Sequence, residues 1–548
     1  MAQQHSRCNL SAARFPFVTA LHGRTIILPQ HDMNFQKSAI FAGADQDRDV
    51  GVPQVFYMHN CMPTEQGFQS VGFGTVIEPA SPAVTDFDSA INLGDPDGNK
   101  FLFSPAAGKN YVFDAPVASW ASISSIYGVV QADVLVTHAF VQGQTYIFYE
   151  GRGCYEYNKT TKAFDAVTLT GLSITSIVGI VGSNGYLLAW DINGVLYWSS
   201  ATNPLDFVPS LLTGASSGAI TDLKGRVQII LPITNGFIVY ATENAVGGTF
   251  SGNIRFPFTL KEIPGAGGVR SREHVSSESN LDEHYALTSA GLQQLSKTAC
   301  KTLLAEASDF ITARVFEDYN STTKLFTVTY LTGDLNVKLT VVGARYFVIS
   351  YGVASTLTHA IIYDIVQKRW GKVKLEHVDC FEYTYPNLYG TVTYADLLAG
   401  GVTYDDLLIT SYADLYSVVA TASRPRRTLA FLQNTGEVKV LKFDLGQVDN
   451  DAVFLLGKFQ FTRNHSCQLL GFEVECVDTG SNWAAYVLSS FDGKNFQSYA
   501  TPTLKRNQGY LRKYQIRKTG TNHSLLFEGS FNLTSVLIEY AQGGTVRG

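Results

Sequence analysis

Three aspartates in a repeated phrase are the first residues whose type and spacing suggest chemistry. Asp396, Asp406 and Asp414 each stand in a tyrosine-x-aspartate-leucine phrase, and the copies are 10 and 8 residues apart. Neighbouring carboxylates can perform general acid–base work, but a catalytic site rarely repeats itself so closely. Proteins that build similar strand-and-turn corners in succession often do, so the run favours assembly over catalysis. In that role the tyrosines pack and the aspartates cap turns.

A compact group of arginines, Arg424, Arg426 and Arg427, follows directly after this run. Guanidinium groups bind carboxylates and phosphates. The group therefore fits a solvated loop, a contact with an acidic neighbouring subunit, or a contact with phosphate along a channel. We take these arginines, together with the three aspartates, as candidate contacts with other subunits or with a DNA channel.

Other catalytic and ligand-binding patterns are weak in this sequence. The 11 histidines include no HExxH pattern, and the group Asp282–His284 with His274 upstream lacks metal-ligand spacing. Gly265–Gly268 is glycine-rich but is followed by no Lys-Ser or Lys-Thr pair, so it predicts a turn. We expect no catalytic residue, no cofactor and no metal, and a protein that is not an enzyme.

The composition narrows the class of protein. Of the 548 residues, 45% are hydrophobic and 16% are charged, which is below the ~25% charge of typical soluble domains. Such a chain buries much surface in a core or against neighbouring subunits. A net charge of −6 argues against a general nucleic-acid binder. No secretory signal and no apolar run of membrane-spanning length is visible, and the seven dispersed cysteines predict thiols in a reducing compartment.

The elements that must position these residues are mostly strands, and the sequence predicts an all-β protein of three parts. Nine of the 17 prolines fall in 1–118, which predicts an irregular segment of loops and edge strands that wraps over other elements. Residues 119–450 alternate short apolar strands with tight turns, as in Tyr186–Trp198 around Asn193-Gly194, and predict a β-propeller-like repeat region with six to seven units. Stacked β-sandwiches are the alternative for this region. Residues 451–548 predict a C-terminal β-sandwich.

One segment of the repeat region leaves two interpretations open. Leu292, Leu295, Ala299, Leu303 and Leu304 are close to helical spacing within Gly291–Glu306. This segment is either a short helix or a continuation of the strands.

Three patterns together resemble one family. These are the tyrosine-x-aspartate-leucine run, the phrase Trp198–Phe207 after a hairpin, and the C-terminal series of Ser490–Gly493, Gly509–Tyr514 and Leu537–Tyr540. Asn60–Gly67 adds an N-terminal phrase, with Met62 where the family has an aromatic residue and with Thr64 inserted. The chain is similar in these features to the β-propeller nozzle, or tail-hub, proteins of short-tailed bacteriophages, which usually carry tryptophan where this run has tyrosine.

The resemblance implies a structural virion protein, assembled in the host bacterial cytoplasm and located in the virion tail. It implies a homo-oligomeric six-fold ring below the portal and its head-to-tail adaptor, with tail fibres or a needle as further partners. Such a ring retains packaged DNA and gives double-stranded DNA a path of ejection; an acidic tube would let DNA slide. A carbohydrate- or protein-binding propeller is the alternative, followed by a propeller glycosidase with carboxylates from different blades.

Overall fold

The computed structural model describes a protein built almost entirely of short antiparallel strands. The residues described are 24–28, 55–64, 67–77, 87–93, 100–105, 110–114, 119–123, 136–161, 163–276, 282–304, 315–320, 322, 325–330, 335–342, 345–353, 356–367, 369–384, 427–442, 452–459, 465–476, 483–491, 497–500, 504–508 and 511–545. Within these ranges the chain forms nine sheets and no α-helix. The all-β class predicted from the sequence is confirmed.

Strands near the N-terminus join sheets that are completed by distant parts of the chain. They are β1 (Arg24–Leu28), β2 (Val55–His59), β3 (Cys61–Pro63), β4 (Phe68–Ser70) and β5 (Gly72–Ile77). Strands β1, β2 and β4 each pair with a strand from the C-terminal part of the chain, β3 pairs with β4 and with the segment around Lys372, and β5 pairs with a strand near residue 440.

Four consecutive sheets each contain four antiparallel strands in chain order. The first is β6 (Phe87–Asn92), β7 (Lys100–Pro105), β8 (Asn110–Asp114) and β9 (Ser119–Ile123). The second is β10 (Val136–Val141), β11 (Gln144–Tyr149), β12 (Gly153–Asn158) and β13 (Ala163–Val167). The third is β14 (Gly179–Ser183), β15 (Tyr186–Trp190), β16 (Val195–Trp198) and β17 (Ser216–Ala219). The fourth is β18 (Val227–Ile233), β19 (Gly236–Ala241), β20 (Ala245–Phe250) and β21 (Phe258–Glu262).

Three further groups of strands continue this pattern with variations. A three-stranded sheet contains β22 (His284–Thr288), β23 (Gly291–Leu295) and β24 (Cys300–Leu304), and a hairpin follows with β25 (Val315–Asn320) and β26 (Leu325–Tyr330). A four-stranded section contains β27 (Leu335–Val342), β28 (Tyr346–Val353), β29 (Leu357–Asp364) and β30 (Arg369–His377). The last group is β31 (Asp379–Thr384), β32 (Arg427–Leu432) and β33 (Val438–Lys442), to which β5 adds a fourth strand.

The C-terminal strands form two sheets that pack face to face. They are β34 (Val453–Phe459), β35 (His465–Cys476), β36 (Trp483–Ser490), β37 (Gln497–Ala500), β38 (Leu504–Gln508), β39 (Leu511–Gly520), β40 (Asn522–Gly529) and β41 (Asn532–Thr545). One sheet has the order β2-β34-β40-β36-β37, and the other runs β3-β4-β41-β35-β39-β38 and joins β30 through β3. Phe472 of one sheet meets Phe527 of the other edge to face, with ring centroids 6.3 Å apart.

Local sequence explains the hairpins. Between β15 and β16, Gly194 adopts φ 83°, a left-handed conformation that glycine allows at little cost. Oδ1 of Asp191 accepts hydrogen bonds from the backbone N–H groups of Asn193 and Val195 at 2.9 and 2.8 Å. The turn chemistry and the apolar strands on either side agree, and the predicted hairpin is confirmed.

The segment that the sequence left open between helix and strand is a hairpin. Gly291–Leu295 and Cys300–Leu304 are strands β23 and β24, and Oγ of Ser296 accepts a hydrogen bond from the backbone N–H of Ala299 across the turn. The near-helical spacing of the leucines is overridden because β23 pairs with β22 on its other side.

Apolar clusters lie between consecutive sheets. Ile91 and Leu93 pack against the second sheet through Ile147. Each later sheet likewise shares an apolar cluster with the next one. One residue pair from each cluster, in chain order, is Ala139 with Ile180, Val181 with Val239, Ile238 with Ala286, Tyr285 with Phe347, Val348 with Phe431, and Phe381 with Phe87. The last cluster joins the β31–β33 sheet to the first sheet. The core is therefore divided into slabs between sheets.

Regular strands also occur in part of the segment predicted as irregular. Strands β6 to β8 lie within 87–114, with Pro105 at a strand end. Proline here separates strands instead of preventing them. The three domain boundaries drawn from the sequence stay predictions.

Candidate functional site

The residues that the sequence nominated fall almost entirely outside the described residues. Asp396, Asp406, Asp414, Arg424 and Arg426 belong to this group. Their roles stay predictions.

Arg427 begins β32, and its backbone pairs with Thr384 at the end of β31. The two ends of 385–426 are therefore neighbours in one sheet. The repeated phrase lies inside a connection between paired strands and is followed by β32 and β33.

Among the described residues, a buried cluster of Ser350, His377 and Cys380 most resembles a nucleophile–base pair. The Nδ1 atom of His377 lies 2.7 Å from the backbone oxygen of Leu375, which assigns the ring proton to Nδ1. The Nε2 atom then accepts a hydrogen bond from the hydroxyl of Ser350 at 2.8 Å. The thiol of Cys380 donates to the same hydroxyl oxygen at 3.2 Å. All polar atoms of this chain of three side chains are thereby satisfied in one tautomer.

The environment of this cluster makes it a structural network. Ser350, His377 and Cys380 are each 3% exposed or less. Burial raises the pKa of the Cys380 thiol and lowers that of His377 to about 4, so both groups are neutral at pH 7. A nucleophile needs an ionised or activated group within reach of a substrate, and this cluster offers neither. The cluster joins β28 to the start of β31. Sequence reasoning missed it because its three residues lie on different strands with no motif spacing.

Asp379 lies beside this cluster and connects three sheets through an ion pair and hydrogen bonds. Its Oδ1 atom accepts from the Nζ of Lys338 on β27 at 2.6 Å and from the backbone N–H of Cys380 at 2.8 Å. Its Oδ2 atom accepts from the backbone N–H of Ala90 on β6 at 2.9 Å. The Asp379 side chain is 7% exposed. Both carboxylate oxygens are committed to N–H donors, so this buried charge is paired and hydrogen-bonded.

The glycine-rich turn and the histidines noted in the sequence also have structural roles. The amide of Gln293, 1% exposed, donates to the backbone oxygen of Gly265 and accepts from the backbone N–H of Gly267. Nδ1 of His284 contacts the hydroxyl of Tyr240, and its Nε2 lies 2.9 Å from the backbone oxygen of Pro232. Within the part of the chain that the structure describes, no group of three His, Cys, Asp or Glu side chains could hold a metal ion. The prediction of a turn at Gly265–Gly268 is confirmed.

The most prominent surface feature is apolar. Two neighbouring loops, 199–215 between β16 and β17 and 251–257 between β20 and β21, carry five of the nine large, strongly exposed apolar side chains among the described residues. We call these five residues the apolar loop surface: Val208, Leu211, Leu212, Ile254 and Phe256. Leu212 is 91% exposed and Leu211 is 76% exposed. Large contiguous apolar patches on soluble proteins mark interaction sites.

The two loops touch each other at a glycine. Gly214 adopts φ 76°, and a Cβ atom there would lie 2.5 Å from Cγ2 of Ile254. The backbone oxygen of Gly214 accepts a hydrogen bond from Nε1 of the buried Trp198 at 2.8 Å. The contact requires glycine because both the backbone conformation and the lack of space exclude a side chain. The five apolar side chains therefore sit on one anchored unit.

No family model matches the chain, and a search of curated proteins finds no match. No helix among the described residues is both apolar enough and long enough to cross a bilayer.

Proposed function

We propose that this chain is a non-enzymatic structural protein that assembles into a ring of identical subunits in a short phage tail. The observation that carries the proposal is the apolar loop surface on a rigid all-β body with few charges. Surfaces of this kind are covered in an assembly. The sequence patterns shared with tail-hub proteins supply the type of assembly.

For the body of the subunit we propose a seven-bladed β-propeller. The blades are the sheets that begin with β6, β10, β14, β18, β22, β27 and β31, and apolar clusters join each blade to the next. Propellers of four to eight such blades are common, each blade being a small antiparallel sheet. In the fifth blade the inner position is taken by the segment around Val275, which bridges to Ala286.

Two contacts support closure of the propeller. Strand β5 pairs with β33 from Gly72–Lys442 to Ile77–Val438, so an N-terminal strand completes the last blade. Phe87 on β6 packs in the same cluster as Phe381 on β31. In the proposed propeller, the first contact completes the last blade and the second joins that blade to the first.

The innermost strands would then border an axial channel. His138 and Phe140 on β10 both have exposed side chains, and Phe140 is 60% exposed. Exposed side chains on the first strand of a proposed blade agree with an axial channel at that strand.

In the assembly we propose that the ring of subunits lies below the portal and its head-to-tail adaptor, retains packaged DNA and forms its exit path. Tail fibres or a needle would attach to it. The net charge of −6 suits a protein past which DNA must slide without adhering. The six-fold symmetry rests on the family resemblance.

The experiment that tests this function is imaging and sizing of the purified chain. Negative-stain microscopy and mass photometry should show a closed ring of subunits with a channel wide enough for duplex DNA. A stable monomer that captures or hydrolyses glycans would refute the tail proposal and favour the carbohydrate-binding alternative. A glycan array and a hydrolysis assay on the same preparation distinguish these two outcomes.

A further inference from the structure

We infer that the apolar loop surface is the contact by which one copy of this chain binds the next. The inference rests on the proposed function, because it assigns the subunit interface of the proposed ring to named residues. Its components are the exposed side chains of Val208, Leu211, Leu212, Ile254 and Phe256 on the loops 199–215 and 251–257.

The size of the surface fits a subunit contact. A fully exposed large apolar residue presents on the order of 150–200 Å², so the five side chains offer about 500 Å² of apolar surface. A stable interface buries roughly 800 Å² on each partner, and its centre is more apolar than its rim. The apolar loop surface alone can therefore supply the centre of a standard interface.

The charge pattern of the two loops is that of an interface centre. The loops 199–215 and 251–257 contain two charged residues, Asp206 and Arg255. Lys, Glu and Asp are depleted at the centres of interfaces, whereas Arg is enriched there. Two loops that face water permanently would be expected to carry more charge than this.

Side-chain hydrogen bonds hold both loops in place. In the first loop, Oδ1 of Asp206 accepts from the backbone N–H of Val208 at 3.0 Å, and Oγ of Ser210 accepts from that of Leu212 at 3.1 Å. In the second, Oδ1 of Asn253 accepts from the backbone N–H of Arg255 at 2.9 Å. Loops that are already ordered lose little conformational entropy on binding, so their apolar area is used efficiently.

A second copy is the occupant that these observations favour. A ring of identical chains is closed by a head-to-tail contact, so the apolar loop surface would supply the centre of one side of it and a different surface of the next copy the other side. A lipid surface is disfavoured because membrane-binding loops combine apolar tips with several cations, whereas these loops carry one. The net charge of −6 further opposes binding to anionic lipid.

The test compares the wild-type chain with Leu211→Asp/Leu212→Asp. Both leucines are strongly exposed, so the double variant should fold, and its thermal unfolding checks this. Sedimentation velocity over a concentration series should show self-association weakened by about 100-fold or more, since two carboxylates would lose water at the centre of the contact. Leu211→Met/Leu212→Met keeps the apolar area and should assemble like wild type.

The matched control is Ile192→Asp. Ile192 is a large exposed apolar residue in the turn at the other end of β16 from loop 199–215, and its replacement should leave assembly unchanged. If wild type forms rings and the Leu211/Leu212 double aspartate variant forms them equally well, the interface is elsewhere and this inference is wrong while the tail function stands. If wild type is a monomer at all concentrations, the proposed function itself fails. A monomer that binds phosphatidylcholine–phosphatidylglycerol vesicles through these leucines identifies a lipid-binding surface and overturns the inference.

Discussion

Replacement of Asp379 by asparagine should weaken the contact between the first four-stranded sheet, which begins with β6, and the sheet that begins with β31. Asparagine keeps the shape of the side chain but turns one carboxylate oxygen into an NH₂ group. Both oxygens of Asp379 accept from N–H donors, Oδ1 from Lys338 and Cys380 and Oδ2 from Ala90. In either orientation of the amide, the NH₂ group must face a donor, and Lys338 loses its ion pair.

The expected cost follows from this geometry. Breaking a buried ion pair by removing one charge costs about 3–5 kcal/mol, and asparagine retains part of the hydrogen bonding, so we expect about 3 kcal/mol. Since 1.4 kcal/mol is a factor of ten, amide hydrogen exchange in the peptide that contains β6 should accelerate on the order of 100-fold through local opening. The effect should be concentrated at β6, β27 and β31.

Hydrogen exchange with mass spectrometry measures this locally, which suits a chain too large for a simple two-state analysis. Asp191→Asn is the matched control. Both N–H groups at Asp191 donate to the same oxygen, which asparagine retains, so exchange should change little. Unchanged protection of β6 in Asp379→Asn would refute the reasoning that this carboxylate joins the sheets.

Three further experiments test other parts of the structure. Burial lowers the pKa of His284 from 6.5 to about 4. The neutral form is favoured in the folded state, so about 3 kcal/mol of stability present above pH 6.5 is lost as the pH falls to 4. Melting temperatures should therefore fall over this range, and fall less for His284→Gln. Gly247→Ala should destabilise by about 1–3 kcal/mol in urea unfolding, because its Cβ would lie 2.0 Å from a backbone oxygen of the next sheet. Gly218→Ala, with ordinary contact distances of 3.6 Å, should be near neutral in the same measurement. Maleimide should label the partly exposed Cys300 faster than the buried Cys380, whose pKa is raised by burial, as read by peptide mapping.

Much of the fold could be predicted because it depends on neighbours in sequence. The hairpin at Tyr186–Trp198 follows from an Asn-Gly turn between apolar runs, and the structure has it with the expected partners. The strand Gly236–Tyr240 follows from its β-branched and aromatic residues and lies in β19. Where local spacing was ambiguous, as in Gly291–Glu306, pairing with a neighbouring strand decided the outcome.

The parts that could not be predicted depend on distant residues. Nothing in Gly72–Ile77 shows that it pairs with Val438–Lys442. The bonds among Ser350, His377 and Cys380 likewise arise only when β28 meets β31. The apolar loop surface left a signal in the sequence, since 207–221 is long, apolar and free of charge. When a sequence is searched for function, charge-free apolar loops should be recorded as candidate interaction sites alongside catalytic motifs.

The pairing of β5 with β33 also sets the order in which this protein can be completed during synthesis. Residues 72–77 leave the ribosome long before residues 438–442, so β5 must wait while all the intervening sheets are made. Contacts between such distant segments form slowly because a long loop must close first. Until then the faces of the first and last sheets stay open to other nascent chains. Newly made protein should thus stay prone to aggregation at least until residue 442 has emerged.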